Sequence, residues 1–124
     1  MAESQKRRVL LDTDISLGTP GAEIDDGAAL IALLSADSVE IEAITTVHGN
    51  VGAELAMHNL QRLLWYLDHS QIPLGLGAEE PLVGDKAWFD EWQLGYERTP
   101  FWPRVDITPV AAGQIVETIR CNPQ

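Results

Sequence analysis

Four closely spaced aspartates stand near the start of the sequence: Asp12, Asp14, Asp25 and Asp26. Asp12 ends an apolar run, Asp14 follows two residues later, and a loop rich in Gly and Pro leads to the other two acids. Carboxylates that meet at one place repel one another strongly unless a cation lies among them. Convergence of these four side chains would therefore create a site for a hard metal ion with oxygen ligands.

Regular elements are expected on both sides of these acids. Residues 8–12 are predicted to form a strand whose apolar character is typical of the centre of a sheet covered on both faces. Residues 13–24 form a loop, and residues 27–35 form a buried, apolar helix. Because ligands of open α/β sheets bind at the carboxyl ends of the strands, the acids lie where a binding site is expected.

The same alternation of strand and helix continues along the chain. Residues 39–46 are predicted as a second strand, a helix with a leucine stripe follows, and residues 72–76 form a short third strand. A last helix is predicted over residues 110–120, with Thr108 as its N-cap and Pro109 as its first residue. The order β-α-β-α-β-loop-α predicts an α/β fold: an open, mostly parallel sheet with helices on both faces and a Rossmann-like core.

A single domain is expected over residues 1–124, with a flexible N-terminus at residues 1–7. Residues 78–104 differ from the rest because they are rich in tryptophan and other aromatic residues and show little regular period. They are predicted to form a long aromatic-rich loop. Loops of this length in compact domains are usually functional or pack against another surface.

Composition restricts the partners of the chain. The formal net charge is −11, from 19 Asp and Glu against 8 Lys and Arg, which argues against nucleic acid and against an anionic membrane surface. The one cysteine, Cys121, cannot form an internal disulfide, which favours a reducing setting. No apolar stretch has transmembrane length and the N-terminus lacks the core of a signal peptide, so we expect a cytoplasmic protein.

The ordered set of motifs resembles the N-terminal part of the inosine-uridine-preferring nucleoside hydrolases. The resemblance rests on Leu11-Asp12-Thr13-Asp14, on Asp25-Asp26, and on Ile44-Thr45-Thr46-Val47-His48-Gly49-Asn50-Val51. Weaker similarity lies at residues 59–64, 72–83 and 119–123. It covers essentially all of the chain from Arg8 onward, so the fold it implies is a nucleoside hydrolase-like domain that is apparently truncated.

The resemblance implies hydrolysis of the N-glycosidic bond of ribonucleosides to ribose and a free base, with a bound Ca²⁺ as cofactor. By position, Asp14 resembles the catalytic base and metal ligand, and Asp26 resembles the second metal ligand. Asp25 resembles the residue that accepts a hydrogen bond from a ribose hydroxyl, and Asn50 the asparagine that lines the ribose pocket. Asp12 resembles a supporting acid at the end of the strand.

Each of these residues also has a simpler structural interpretation. Asp25 or Asp26 would suit a helix N-terminus without any metal. Asp12 would orient the loop through backbone N–H groups, and Asn50 after Gly49 is typical of a turn. The aromatic loop would either stack on a nucleobase or serve as packing surface.

The sequence also departs from the family pattern. Ten residues, 15–24, separate the second acid from the third, where the family usually has a shorter spacer. The insertion predicts either a bulge that leaves the turn intact or an altered metal geometry. Family members are also much longer, and their remaining metal ligands and base-protonating histidine lie beyond the residues that match here. Activity of this chain alone is therefore in doubt, and it is expected to be a fragment, a truncated product or one part of an assembly.

Two other classes of function remain open at this point. One is a non-catalytic remnant or interaction module of the same fold, which would expose apolar surface and favour a homo-oligomer. The other is a haloacid dehalogenase-like phosphatase, in which Asp12 would be phosphorylated beside Mg²⁺. That alternative assigns no role to Asp25, Asp26 or Asn50.

Overall fold

The structure is a computed structural model that describes residues 5–19, 22–85, 87 and 110–123. Its elements alternate along the chain. They are β1 (Arg7–Thr13), α1 (Asp25–Leu34), β2 (Val39–Thr46), α2 (Ala53–Tyr66), β3 (Leu74–Gly75) and α3 (Ala111–Cys121). The predicted order of strands and helices is confirmed over this part of the chain.

The three strands form one parallel sheet in the order β1-β2-β3. β1 lies beside β2 with Asp12 opposite Thr45 and Thr13 opposite Thr46, so both strands end at the same edge. β3 has only two residues, shorter than the predicted strand at 72–76. Pro73 has no N–H to donate and contributes only its carbonyl, which accepts a bond from the N–H of Ile44.

The first face of the sheet carries the main core. Ile44 of β2 is fully buried there and packs with Leu30 of α1 and with a row of apolar side chains from α2. That row consists of Ala56, Met57, Leu60 and Leu64. Sequential parallel strands joined by right-handed crossovers place both connecting helices on one face, as is seen here for α1 and α2.

The second face of the sheet is covered by α3. Thr45 points to this face because side chains alternate along a strand, and Gly75 lies beside it on β3. A Cβ atom on Gly75 would lie 2.9 Å from Cα of Ala111 and 3.1 Å from Cγ2 of Thr45. The close approach of α3 thus depends on a glycine. Helices on both faces of an open parallel sheet confirm the predicted α/β fold.

The ends of the helices show where the sequence predictions need adjustment. α1 begins at Asp25, two residues before the predicted start, and its N-cap residue Ile24 offers no side-chain cap. Both acids therefore stand in the first helical turn, where negative charge is favourable. α3 begins at Ala111 with Val110 in the N-cap position. Thr108 and Pro109 lie outside the described residues.

The N-terminus of α2 is capped from a distance. Its N-cap residue Gly52 has no side chain, and the carboxylate of Glu79 accepts the N–H groups of Ala53 and Glu54 at 3.1 and 2.5 Å. Glu79 lies in the segment that follows β3, so this carboxylate connects two loops at one edge of the sheet. An acid at this place also complements the helix dipole.

Some predictions fall outside the described part of the chain. The tryptophans of the predicted aromatic loop at residues 78–104 lie there, as do residues 1–4 of the expected flexible N-terminus. The single-domain boundaries therefore stay predictions. Among the described helices, none combines the length and the apolar character that crossing a membrane requires.

Candidate functional site

The candidate site lies at the edge of the sheet where β1 and β2 end. β1 ends at Thr13, so Asp14 is the first residue beyond the strand, and Asn50 lies in the loop that follows β2. α1 begins close by, which places Asp26 in its first turn. Three segments that are distant in sequence thus supply side chains to one place.

Asp26 is fixed against the end of β1. Its Oδ2 accepts the hydroxyl of Thr13 at 2.5 Å and the backbone N–H of Asp14 at 3.2 Å. Asp26 therefore uses its carboxylate to connect α1 to β1 and does not act as the N-cap of its own helix. The helix-cap interpretation is not what the structure shows for this residue.

Asp14 faces Asp26 on one side and the loop after β2 on the other. Its Oδ2 accepts the backbone N–H of Asn50 at 2.7 Å. Gly49 packs directly against the same carboxylate, since a Cβ atom built there would lie 2.1 Å from Oδ2 of Asp14. The loop after β2 therefore forms one wall of the site, and only a residue without a side chain fits at its closest point.

The environment of Asp14 changes its acidity. Burial raises the pKa of the Asp14 carboxyl above its ordinary value, while the hydrogen bond from the N–H of Asn50 acts in the opposite direction. The neighbouring Asp26 raises the pKa of Asp14 further, through a side-chain hydrogen bond and through its charge. A proton or a cation between these two carboxylates relieves their mutual repulsion.

Asp12 and Asp25 take different positions. Asp12 is exposed, and its Oδ1 accepts the hydroxyl of Thr45 at 2.5 Å on the face of the sheet that α3 covers. Asp25 is exposed at the first position of α1. Of the four aspartates, Asp14 and Asp26 are therefore the pair that the structure brings into contact.

The sequence predicts that four carboxylates converge, whereas the structure brings two of them together. Within the described ranges, no three or more His, Cys, Asp or Glu side chains come together in a way that would hold a metal ion. The reason is geometric. β1 ends at Thr13, so the alternation that directs Asp12 towards Thr45 no longer governs Asp14.

The inserted loop does not separate the pair. Although residues 15–24 stand between them, Asp26 still lies against Asp14. Thr13 and Gly49 are the contacts that sequence reasoning did not assign to the site. Gly49 carried a local signal, because a glycine beside a candidate polar residue often marks close backbone approach.

Comparison with known proteins identifies the family. The sequence profile described as the inosine-uridine preferring nucleoside hydrolase matches residues 9–123. The chain belongs to this family. The haloacid dehalogenase-like alternative is accordingly disfavoured.

Two curated relatives illustrate the extent of the similarity. The chain is 43% identical over 75 residues to the non-specific ribonucleoside hydrolase RihC of Salmonella agona (strain SL483), an alignment that covers 60% of this chain and 22% of the relative. It is 44% identical over 75 residues to RihC of Salmonella paratyphi A (strain ATCC 9150 / SARB42), with the same coverage. The aligned part thus spans about a fifth of the length of these relatives.

Solved structures show the same fold over more of the chain. An inosine-guanosine nucleoside hydrolase superposes with a TM-score of 0.68 at 30% identity, covering 91% of this chain and 34% of that one. The plant nucleoside hydrolase PpNRh1 superposes with a TM-score of 0.69 at 24% identity, covering 94% and 36%. At the lower identity the likeness concerns the fold alone. The chain corresponds to about a third of each solved protein.

Proposed function

We propose that this chain forms the N-terminal part of the active site of a ribonucleoside hydrolase, which cleaves the N-glycosidic bond to give ribose and a free base. The observation that supports this most strongly is the position of the Asp14 carboxylate. It lies at the carboxyl edge of the sheet between the N–H of Asn50 and the carboxylate of Asp26. Crevices at this edge are the usual ligand sites of open α/β sheets.

The proposed cofactor is Ca²⁺, with Asp14 and Asp26 as protein ligands. Hard cations prefer carboxylate oxygens, and here two carboxylates lie side by side with the pKa of Asp14 raised by burial and by its neighbour. These two residues therefore supply part of the oxygen ligands that a hard cation needs, and further ligands must complete the set. A bound Ca²⁺ would supply a polarised water whose pKa is lowered.

The chain's own residues would then act on that water and on the sugar. Asp14 is the proposed general base, since its carboxylate can accept a proton while the N–H of Asn50 holds it in place. The cleavage passes through an oxocarbenium-like state, as in other glycoside hydrolyses. Asp25 is the proposed acceptor for a ribose hydroxyl, and the side chain of Asn50 is proposed to line the ribose pocket.

Asp12 is proposed as a supporting residue. Its hydrogen bond with the hydroxyl of Thr45 joins the ends of β1 and β2 one residue before the site. A role in the geometry of the strand end suits this contact better than direct binding of substrate. The cytoplasmic setting and the homo-oligomer stay predictions.

A non-catalytic interaction module is the second candidate function. One observation favours it: Trp65 and Tyr66 are 68% and 65% exposed at the end of α2, with their rings in edge-to-face contact. Paired exposed aromatic rings on a surface are typical of a contact site for another molecule. A mass in solution that rises with protein concentration, and that returns to the monomer in Trp65→Ser, would support this candidate.

An assay of ribose release tests the proposed activity directly. The wild-type chain and Asp14→Asn are each incubated with inosine or uridine in the presence of Ca²⁺, and reducing sugar is measured. Because the chain supplies only part of the site, we expect slow release by the wild type and at least a hundredfold less in Asp14→Asn, about the contribution of a general base. Asp37→Asn, at an exposed acid after α1, serves as the matched control and keeps the wild-type rate. Equal rates for the wild type and Asp14→Asn would refute the assigned role.

A further inference from the structure

The loop between Asp14 and Asp25 has an ordered conformation in its described part. The N–H of Thr19 donates to the carbonyl of Ser16 at 2.9 Å, and Gly18 has a φ of +97°. A positive φ at the third position of such a turn is the requirement that glycine meets without strain. The hydroxyl of Ser16 donates to the carbonyl of Glu23 at 2.5 Å and brings the two ends of the loop together.

A buried amide on α2 holds this loop. Asn59 is only 5% exposed, and its Nδ2 donates to the carbonyl of Ile15 at 3.4 Å and to Oγ1 of Thr19 at 3.0 Å. One turn further along the helix, Arg62 donates to the carbonyl of Leu17 at 3.3 Å. Two side chains of α2 therefore donate hydrogen bonds to three oxygen atoms of the loop, two of them backbone carbonyls and one a hydroxyl.

The chemistry of Asn59 is unusual for its place. It lies on the buried face of α2, beside the fully buried Leu60. An amide at such a place costs free energy unless its hydrogen bonds are made, and an apolar side chain would pack there without that cost. The amide of Asn59 therefore contributes more to fixing the conformation of the loop than to the stability of the core.

The loop is continuous with both acids of the site. Ile15, whose carbonyl Asn59 binds, is fully buried and follows Asp14 directly. Glu23, whose carbonyl Ser16 binds, precedes α1 and Asp26. A loop that is fixed at both of its ends sets the distance between the two carboxylates.

We infer that Asn59 is a positioning residue for the acidic pair: it holds residues 15–19 of the loop on α2 so that Asp26 stays against Asp14. The arrangement compensates for the length of the insertion, because a free loop of this length would let α1 shift relative to β1. The consequence for metal binding rests on the proposed function. The consequence for the loop and for the Asp14 backbone does not.

Hydrogen exchange on the metal-free chain tests the positioning role without any ligand. The reporters are the N–H of Asp14, which donates to Asp26, and the N–H of Thr19 within the loop. In Asn59→Leu we expect both to exchange at least tenfold faster, relative to the N–H of Ile44 in the core strand, because the contact to the loop is lost. Leu64→Ala is the matched control, since it weakens the buried face of α2 without removing an amide from the loop.

A second pair of variants keeps α2 intact. Thr19→Val removes the hydroxyl that Asn59 binds and should reproduce the faster exchange at Asp14, while Thr19→Ser keeps the hydroxyl and should restore protection. For Leu64→Ala we expect exchange at the N–H groups of Asp14 and Ile44 to accelerate by the same factor. The inference is overturned if Asn59→Leu and Thr19→Val also accelerate exchange at Asp14 no more than at Ile44.

Calcium titration separates this inference from the proposed function. We expect Asn59→Leu to weaken Ca²⁺ affinity by about tenfold, the scale of one lost hydrogen bond, and Leu64→Ala to leave it within about twofold. Unchanged affinity in Asn59→Leu would contradict a role in the metal site. The wild-type chain could bind no Ca²⁺ while hydrogen exchange at the Asp14 N–H still accelerates in Asn59→Leu. That result would refute Ca²⁺ as the cofactor and would support the positioning role of Asn59.

Discussion

The backbone N–H of Asn50 donates a 2.7 Å hydrogen bond to Oδ2 of Asp14. This bond joins the loop after β2 to the first residue after β1 and fixes the orientation of the carboxylate. Because the donor is a backbone N–H, the bond depends on the conformation of the loop and not on the side chain of Asn50. Gly49 permits that conformation, since a side chain at this position would clash with Asp14.

Gly49→Ala should therefore disturb the site. The added Cβ would lie 2.1 Å from Oδ2 and 2.8 Å from Cβ of Asp14, so either the loop or the acid must move. We expect a loss of about 1–3 kcal/mol in the free energy of unfolding, typical of overpacking, measured by urea denaturation. We also expect weaker Ca²⁺ binding.

Gly113→Ala is the matched control for this substitution. Gly113 lies in α3, and nothing is within 4 Å of a Cβ built there. Replacing glycine by alanine in a helix at an open position should raise stability by about 0.4–1 kcal/mol. Equal effects of the two substitutions would show that the contact between Gly49 and Asp14 is not formed.

The raised pKa of Asp14 predicts a pH dependence of stability in the metal-free protein. Because the pKa of Asp14 in the folded chain lies above its ordinary value of 3.8, the folded state binds the proton more tightly than the unfolded state. The contribution of Asp14 to stability is therefore fully present below pH 3.8 and is lost as the pH rises through the folded pKa. Asp14→Asn should lack this component.

The measurement is the urea midpoint of both proteins between pH 3 and pH 7 with a chelator present. As the pH rises, the urea midpoint of Asp14→Asn should increase relative to the urea midpoint of the wild type. A parallel pH dependence of the two proteins would mean that Asp26 and burial do not act on Asp14 as described. Asp37→Asn controls for the general effect of removing one negative charge.

Glu79 supplies a prediction about the loop after β3. Its carboxylate accepts the N–H groups of Ala53 and Glu54, so Glu79→Ala should cost about 0.5–2 kcal/mol, the usual effect of losing a helix cap. Glu79→Gln keeps an acceptor oxygen and should recover part of the loss. Thermal denaturation of both variants measures this, with Asp37→Ala at an exposed acid after α1 as the control. A similar loss in Asp37→Ala and Glu79→Ala would contradict the cap.

Local patterns predicted much of the fold. The apolar run before Asp12, the leucine stripe of α2 and the alternation over Val39–Thr46 each reflect burial on a regular element, which a single sequence displays directly. β3 was predicted longer than it is, because Pro73 interrupts the pairing that its apolar neighbours suggest.

Contacts between distant segments could not be predicted in the same way. Glu79 caps a helix that begins 26 residues earlier, and Asn59 binds a loop 40 residues away. Neither contact leaves a periodic signal, since each depends on how crossovers place two loops side by side. The separation of Asp12 from Asp14 has a related cause, because it depends on the residue at which β1 ends.

Calorimetric titration of Ca²⁺ into the metal-free chain tests whether Asp14 and Asp26 bind the metal ion. The wild type is compared with Asp14→Asn and Asp26→Asn, which keep the size of each side chain, and with Asp37→Asn as the control. We predict measurable binding in the wild type and in Asp37→Asn, and its loss in both variants of the pair. Binding that survives in Asp14→Asn and Asp26→Asn would place the cation elsewhere and contradict the assignment of this pair as the metal site.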